Sequence, residues 1–193
     1  MNINWYPGHM AKAKRLMEEN LRLVDIIIEL LDARAPTSSV NPDLQKLYAN
    51  KLKLIVLAKS DFADPDITKN WLEYFKAEGQ YAIEANCLDN RSMNNVKRWI
   101  DGFAEQKRRE YRKRRGINKT IRAMIVGIPN VGKSTFINGM SGGRKAKVGD
   151  RPGVTKGKQW IGVNPYFELL DTPGVLWPKI DDKQIALNLA YIG

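Results

Sequence analysis

The apolar residues of this chain fall into two kinds of pattern. VDIIIELLDA, LKLIVLA, QYAIEA and IRAMIVG are short runs rich in Leu or β-branched residues, with no clean alternation. Such runs predict parallel strands buried on both faces. Between them lie segments of helical spacing, such as TKNWLEYFKAEG with its terminal Gly79, long enough to be crossover helices. Strand and helix alternating in this way predict an α/β doubly wound sheet, mostly parallel and six-stranded. QWIGVNPYFELLDT predicts two short strands turning at Asn164-Pro165, a hairpin at one sheet edge. At the N-terminus, an aromatic arm and a Pro-Gly turn precede an amphipathic helix from about His9 to Leu23, with Leu16, Leu21 and Leu23 available to pack. A second helix, Ser92 to Phe103, carries Met93, Val96, Ile100 and Phe103 on one face. Beyond it, QKRREYRKRRGINK reads as basic on every side, with Tyr111 interleaved.

Composition narrows the class. With 193 residues, 43% of them hydrophobic, the chain fits one globular domain. The richest apolar run is broken by Glu29 and closed by Asp32 and Arg34, so no membrane span is expected, and the N-terminus lacks the apolar core of a secretory signal. The single Cys87 excludes an internal disulfide and suits a reducing, cytoplasmic setting. A net charge of +11 invites a polyanionic partner. Lys97 to Lys119 alone contributes +7 of it.

The most specific chemistry lies in GIPNVGKST, Gly127 to Thr135, which matches G-x-x-x-x-G-K-[ST] between the strand IRAMIV and a helix. Glycines let backbone N-H groups face phosphate oxygens, Lys133 reaches the terminal phosphates, and the Ser134 hydroxyl is placed to ligate Mg2+. A chance glycine-rich turn would not require that strand and helix context. DTPG, Asp171 to Gly174, follows the strand YFELL, 38 residues after Lys133. Asp171 suits a water-mediated Mg2+ contact and the Gly174 N-H the γ-phosphate. Alone, D-x-x-G is usually a turn; paired with a phosphate loop it is specific. Between the motifs, Thr155 in RPGVTKGK is a candidate for the hydroxyl that closes on Mg2+, with an ordinary loop threonine as the alternative.

A phosphate loop followed by DTPG looks like a GTPase, whose guanine-reading N-K-x-D normally stands downstream. Only 19 residues follow Gly174 and none contains it. Upstream, AKSD (Ala58 to Asp61) and EANC (Glu84 to Cys87) each follow a strand and look like the base-reading motifs in a permuted order. That order, with WYPGHMAKAKR, GDRPGVTKGKQW and DTPGVLWPK, resembles the circularly permuted GTPases of the YlqF/RbgA type, and the likeness runs along nearly the whole chain. The resemblance implies one permuted GTPase domain over 1–193, with an N-terminal arm and helix (1–22) and a basic connector (104–119). The family continues into a C-terminal helical domain, which the resemblance implies is absent from these 193 residues. It implies a nucleotide set of Ala58, Lys59, Ser60 and Asp61, of Asn86 and Cys87, of Asn130, Val131, Gly132, Lys133, Ser134 and Thr135, and of Gly174. Asp61 would accept both the ring N-H and the exocyclic amine of guanine, a pairing adenine cannot supply. The family has Asn where this chain has Ala58, and one lost neutral hydrogen bond costs about 0.5–1.5 kcal/mol. Nucleotide binding is therefore expected to be weaker, with guanine still preferred.

Hydrolysis needs a positioned water, and Ras-like enzymes use a Gln soon after DTxG. Here Val175, Leu176, Trp177 and Pro178 follow, and none can orient water. The resemblance assigns that task to the histidine of PGHM, which is His9, the only histidine in the chain. A helix-start histidine that caps or packs is the alternative, and so is a water-positioning group supplied by the ribosome. His9, Lys133 and Thr155 form the expected catalytic set. The resemblance also implies that Asn130 helps hold K+, with a loop-shaping role as the alternative. It implies GTP hydrolysis to GDP and phosphate, slow alone and stimulated by the large ribosomal subunit, in late assembly of the bacterial 50S particle. The partner is then rRNA of the subunit precursor, contacted by Lys107, Arg108, Arg109, Arg112, Lys113, Arg114 and Arg115. Neither membrane nor DNA is expected. A nucleotide-binding RNA scaffold with negligible turnover, and an ATP-using phosphate-loop enzyme disfavoured by Asp61, are the other readings.

Overall fold

The computed structural model describes residues 15–142, 160–172, 174, 176, 180 and 182–193. Three parallel strands come first: β1 (Ile26–Asp32), β2 (Leu52–Ala58) and β3 (Tyr81–Ala85). Then come β4 (Ile121–Val126), β5 (Trp160–Asn164) and β6 (Phe167–Leu170). They form one six-stranded sheet in the order β3-β2-β1-β4-β6-β5, parallel except for β5. The edge hairpin expected at Asn164-Pro165 is β5–β6, with an irregularity in register between Gly162 and Asn164. All seven residues of β1 are buried, which explains why its sequence does not alternate.

Successive β1 side chains feed opposite layers. Ile26, Ile28 and Leu30 join a cluster with Met93, Val96, Ile100 and Phe136, from α4 (Asn90–Arg115) and α5 (Lys133–Ser141). Ile27 packs with Met17 of α1 (described from residue 15 to 21) and Leu44 of α2 (Pro42–Leu47). Leu31 packs with Phe75 of α3 (Pro65–Ala77). Helices therefore cover both faces. The last element, α6 (Lys183–Ile192), lies against residues 37–39 through a hydrogen bond from the Asn188 amide to Ser38 Oγ of 2.9 Å.

Two expectations are corrected. The first helix ends at residue 21, so Leu23 falls in the following turn, 38% exposed, and Met17 fills the core position instead. The basic stretch is not basic on every side. It continues the helix that starts at Asn90, and the buried face continues with it through Ala104 to Tyr111. The Tyr111 hydroxyl donates to Asp25 at 2.7 Å, so the ring is turned inward. Gly116, with φ of 66°, then ends the helix, and its N-H donates to the Arg112 carbonyl.

Candidate nucleotide site

The strand order reverses between β1 and β4: the chain builds outward to β2 and β3 on one side and to β6 and β5 on the other. In an open α/β sheet, the crevice at the carboxyl ends of such a strand pair is where ligands bind. The loop after β4 is Gly127–Gly132. Its backbone curls through positive φ at Asn130 (58°) and Gly132 (105°), while Val131 is driven into the core with 1% exposure. A Cβ on Gly127 would stand 2.8 Å from the Leu30 carbonyl oxygen, so only glycine lets the loop leave the sheet beside β1.

Lys133 opens α5, and its Nζ donates to the carbonyls of Ile128 (2.6 Å) and Gly127 (3.3 Å). Burial pulls its pKa down to about 8, against the opposing pull of Asp171. Asp171 follows β6, and burial raises its carboxyl above the usual range although Lys133 and the Thr172 N-H work the other way. Thr172 is buried and its hydroxyl donates to the Ile125 carbonyl, which anchors this segment to β4. Gly174 then lies directly on the phosphate loop: a Cβ there would be 2.7 Å from Pro129 Cα and 2.7 Å from Lys133 Nζ. The two motifs that are 38 residues apart in sequence thus meet in space. Ser134 is exposed in the first turn of α5, and Thr135 is half-buried behind it. A hard divalent cation fits this set. Hydroxyl and carboxylate oxygens are its preferred donors, and a cation beside Asp171 would offset the burial that raises its carboxyl. Leu176, in the stretch without a water-orienting side chain, packs against the core. His9 and Thr155 lie outside the described residues.

The base-reading candidates sit at the carboxyl ends of β2 and β3, which are neighbours, with Ala58 opposite Ala85 in register. Lys59 takes a left-handed backbone (φ 59°, ψ 36°), turning Ser60 and Asp61 into a short 3-10 turn. Asp61 is exposed; burial first and then the charge of Asp61 raise the Cys87 thiol to about 11. The EANC loop is pinned at both ends. The Asn86 N-H donates to Ser92 Oγ (2.9 Å), and the Leu88 N-H donates to the Asn86 side-chain oxygen (2.9 Å).

Asp32 and Arg34, which served in the sequence only to end an apolar run, turn out to organise this end of the sheet. Asp32, at the end of β1 and opposite Ala58, is 1% exposed. It accepts two hydrogen bonds of 2.8 Å from the Arg34 guanidinium and pairs with Lys59 Nζ at 3.2 Å. Burial would raise its pKa, but the bonds from Arg34 and Lys59 outweigh it and hold the carboxylate low. Arg34 also donates to the Ile192 carbonyl (2.8 Å), joining the base-reading side to the end of α6. The available signal was the register itself: two adjacent parallel strands ending in Asp-Ala-Arg and Ala-Lys-Ser-Asp bring an acid and a lysine together. Ala58 is fully buried in the cluster that holds Ile128 and Val131, so apolar packing links the end of β2 to the phosphate loop.

Of the basic residues expected to meet RNA, Arg109, Arg112, Lys113, Arg114 and Arg115 are exposed, whereas Lys107 and Arg108 are half-buried. Arg108 is turned inward, bound to Glu105 at 2.8 Å and stacked 3.9 Å over the Tyr166 ring. No helix among the described residues is long and apolar enough to cross a membrane.

Comparison with known proteins agrees with this geometry. Residues 122–192 match the family model described as "50S ribosome-binding GTPase". The whole chain is 47% identical to ribosome biogenesis GTPase A of Priestia megaterium, covering 67% of that protein. Among solved structures, the GNP-bound YlqF of T. maritima superposes with a TM-score of 0.63 at 32% identity, over 91% of this chain and 63% of that one. The GDP-bound form of the T. maritima protein gives 0.64 at 31% identity. The chain thus spans about two thirds of the length of these relatives.

Proposed function

This chain belongs to the family of ribosome biogenesis GTPase A, and from that premise we propose a GTP-binding and GTP-hydrolysing switch that acts late in assembly of the bacterial 50S subunit. The observation that carries the reading is the meeting of four motifs at one end of the sheet. Gly174 rests on the phosphate loop beside Lys133, and Asp61 and Cys87 lie in the turns that follow the neighbouring strands β2 and β3, whose last residues, Ala58 and Ala85, are opposite in register. Lys133 neutralises charge on the terminal phosphates, Asp61 selects guanine, and the Gly174 N-H registers the γ-phosphate. Mg2+, held by Ser134, Asp171 and Thr155, would supply further positive charge to the phosphoryl oxygens. K+ beside Asn130 would act in the same sense. His9 orients or deprotonates the attacking water, a task open to it because an imidazole changes charge near physiological pH. The setting is cytoplasmic and the partner is rRNA of the subunit precursor. If His9 has this role, His9→Ala should leave GTP affinity unchanged and lower subunit-stimulated hydrolysis by about a hundredfold or more. Unchanged stimulated turnover would remove His9 from catalysis.

Nucleotide competition tests the guanine assignment. GTP and GDP should displace a bound fluorescent guanine nucleotide, and ATP should not. Restoring the family's residue by Ala58→Asn should tighten GTP binding by about two- to tenfold, the worth of one neutral hydrogen bond. Because Ala58 is fully buried, the larger side chain should also lower the melting temperature. Equal competition by ATP, or no gain from Ala58→Asn, would contradict the assignment.

A further inference from the structure

The nucleotide residues occupy the carboxyl end of the sheet, but the free positive charge gathers at the opposite end. Lys107, Tyr111, Arg114 and Arg115 share one face of α4, at the i, i+4, i+7 and i+8 spacing. That face looks toward Val24 and Asp25, just before β1. Lys51, in the turn before β2, completes the wall of a pocket of about 230 Å³. Phosphate-sized anions fit a pocket of this volume, and the charge balance inside it favours them. Both acids in the lining are already matched. Asp25 accepts from Tyr111, from Lys119 and from the Arg122 N-H, and Glu110 pairs with Lys107 at 2.9 Å. Lys51 donates only to a neutral group, the Val24 carbonyl at 2.7 Å. Among the described residues, Lys51 and Arg115 have no carboxylate partner, and Arg114 meets only the charge of Glu110, which is already paired with Lys107.

We propose that this pocket binds a backbone phosphate of ribosomal RNA, and that Lys51, a residue from outside the basic helix, is one of its ligands. The proposal deepens the RNA-binding reading of the helix and rests on it. It also divides the helix by function. Arg108 and Arg109 are engaged by Glu105, and Arg112 donates to the Asn118 side chain at 3.0 Å. Arg114 and Arg115 instead face the pocket with Lys51, where a guanidinium fork can meet two phosphate oxygens at once. A membrane surface fits less well. The aromatic residue of this stretch, Tyr111, is turned inward onto Asp25, which leaves no apolar face to enter lipid.

The test is binding of the 193-residue chain to large ribosomal subunits over a range of salt concentrations, alongside vesicles containing phosphatidylglycerol. Lys51→Ala and Arg115→Ala should each weaken subunit binding by about tenfold at low salt and lower the log-log salt slope by about one, as loss of one phosphate contact requires. Combining them should cost less than the product of the two, because they share a phosphate. Lys51→Arg should bind as wild type does, and Lys69→Ala, exposed on α3 and outside both the basic helix and the pocket, should change affinity by no more than about twofold. Since Lys51 also holds the Val24 carbonyl, melting curves of Lys51→Ala and Lys51→Arg separate a loss of fold from a loss of phosphate. If wild type binds subunits and folded Lys51→Ala matches its affinity and slope, the pocket assignment is overturned while RNA binding stands. If wild type does not bind subunits even at low salt, both fall. Tighter, Lys51-dependent binding to the vesicles would overturn the proposal in favour of lipid phosphate.

Discussion

Gly174→Ala should lower GTP affinity by about tenfold to a hundredfold and reduce hydrolysis at least as much, because overpacking of this kind costs about 1–3 kcal/mol. The added carbon would lie 2.7 Å from Pro129 Cα and 2.8 Å from Pro129 N, both backbone atoms of the phosphate loop. A flexible side chain could swing aside; a loop braced by buried Val131 and by the Gly127–Leu30 approach cannot. Either the loop or the segment after β6 must shift, and the Gly174 N-H moves with it. Since that N-H is assigned to the γ-phosphate, GDP affinity should fall by less than GTP affinity. Calorimetric titration with both nucleotides checks this. Equal affinities of variant and wild type for GTP would mean that the close approach has no part in binding.

Lys133→Met should abolish detectable GTP hydrolysis and weaken GTP binding by about a hundredfold or more, since hydrogen bonds to charged groups contribute about 1.5–3 kcal/mol each. The melting temperature should change little, because two effects oppose each other. Burial disfavours the charged amine of Lys133, whose pKa falls to about 8, and methionine removes that cost. Against this, the Gly127 and Ile128 carbonyls lose their donor, and Asp171 loses the charge that partly offsets its burial. The same depressed pKa gives a pH signature. Bound phosphates favour the charged amine, so the pKa with nucleotide is higher than the value of about 8 without it. Binding is then at full strength below about pH 8 and weakens as pH rises above it, with proton uptake on binding. Titrations in two buffers of different ionisation enthalpy measure that uptake. Wild type should show it near pH 8.5, and Lys133→Met should not.

Much of this architecture was legible because strands buried on both faces write themselves as unbroken apolar runs. β2 and β4 begin and end where LKLIVLA and IRAMIV do. The phosphate loop was legible for a different reason: Gly127 and Gly132 are demanded by a close approach and a positive φ, and only glycine meets both cheaply. Charged residues at strand ends were harder. Asp32 and Arg34 looked like terminators of a run, and their role depends on register between two strands that a linear reading does not supply. The basic helix misled in a similar way. Its charge is nearly uniform in sequence, whereas Tyr111 and Arg108 turn inward because Asp25 and the Tyr166 ring lie beneath them. Leu23 was misplaced by two residues at a helix end, where tertiary packing of Met17 decided the face.

The proposed switch stands or falls on GTP hydrolysis that the large ribosomal subunit controls. Its most direct test is turnover of GTP and of ATP, measured with and without purified large subunits. Slow GTP hydrolysis by the protein alone, a marked rise when subunits are added, and no hydrolysis of ATP in either condition are the expected results. Absence of GTP turnover with subunits present would contradict the switch and favour an RNA-binding scaffold, and equal turnover of ATP would contradict the role given to Asp61.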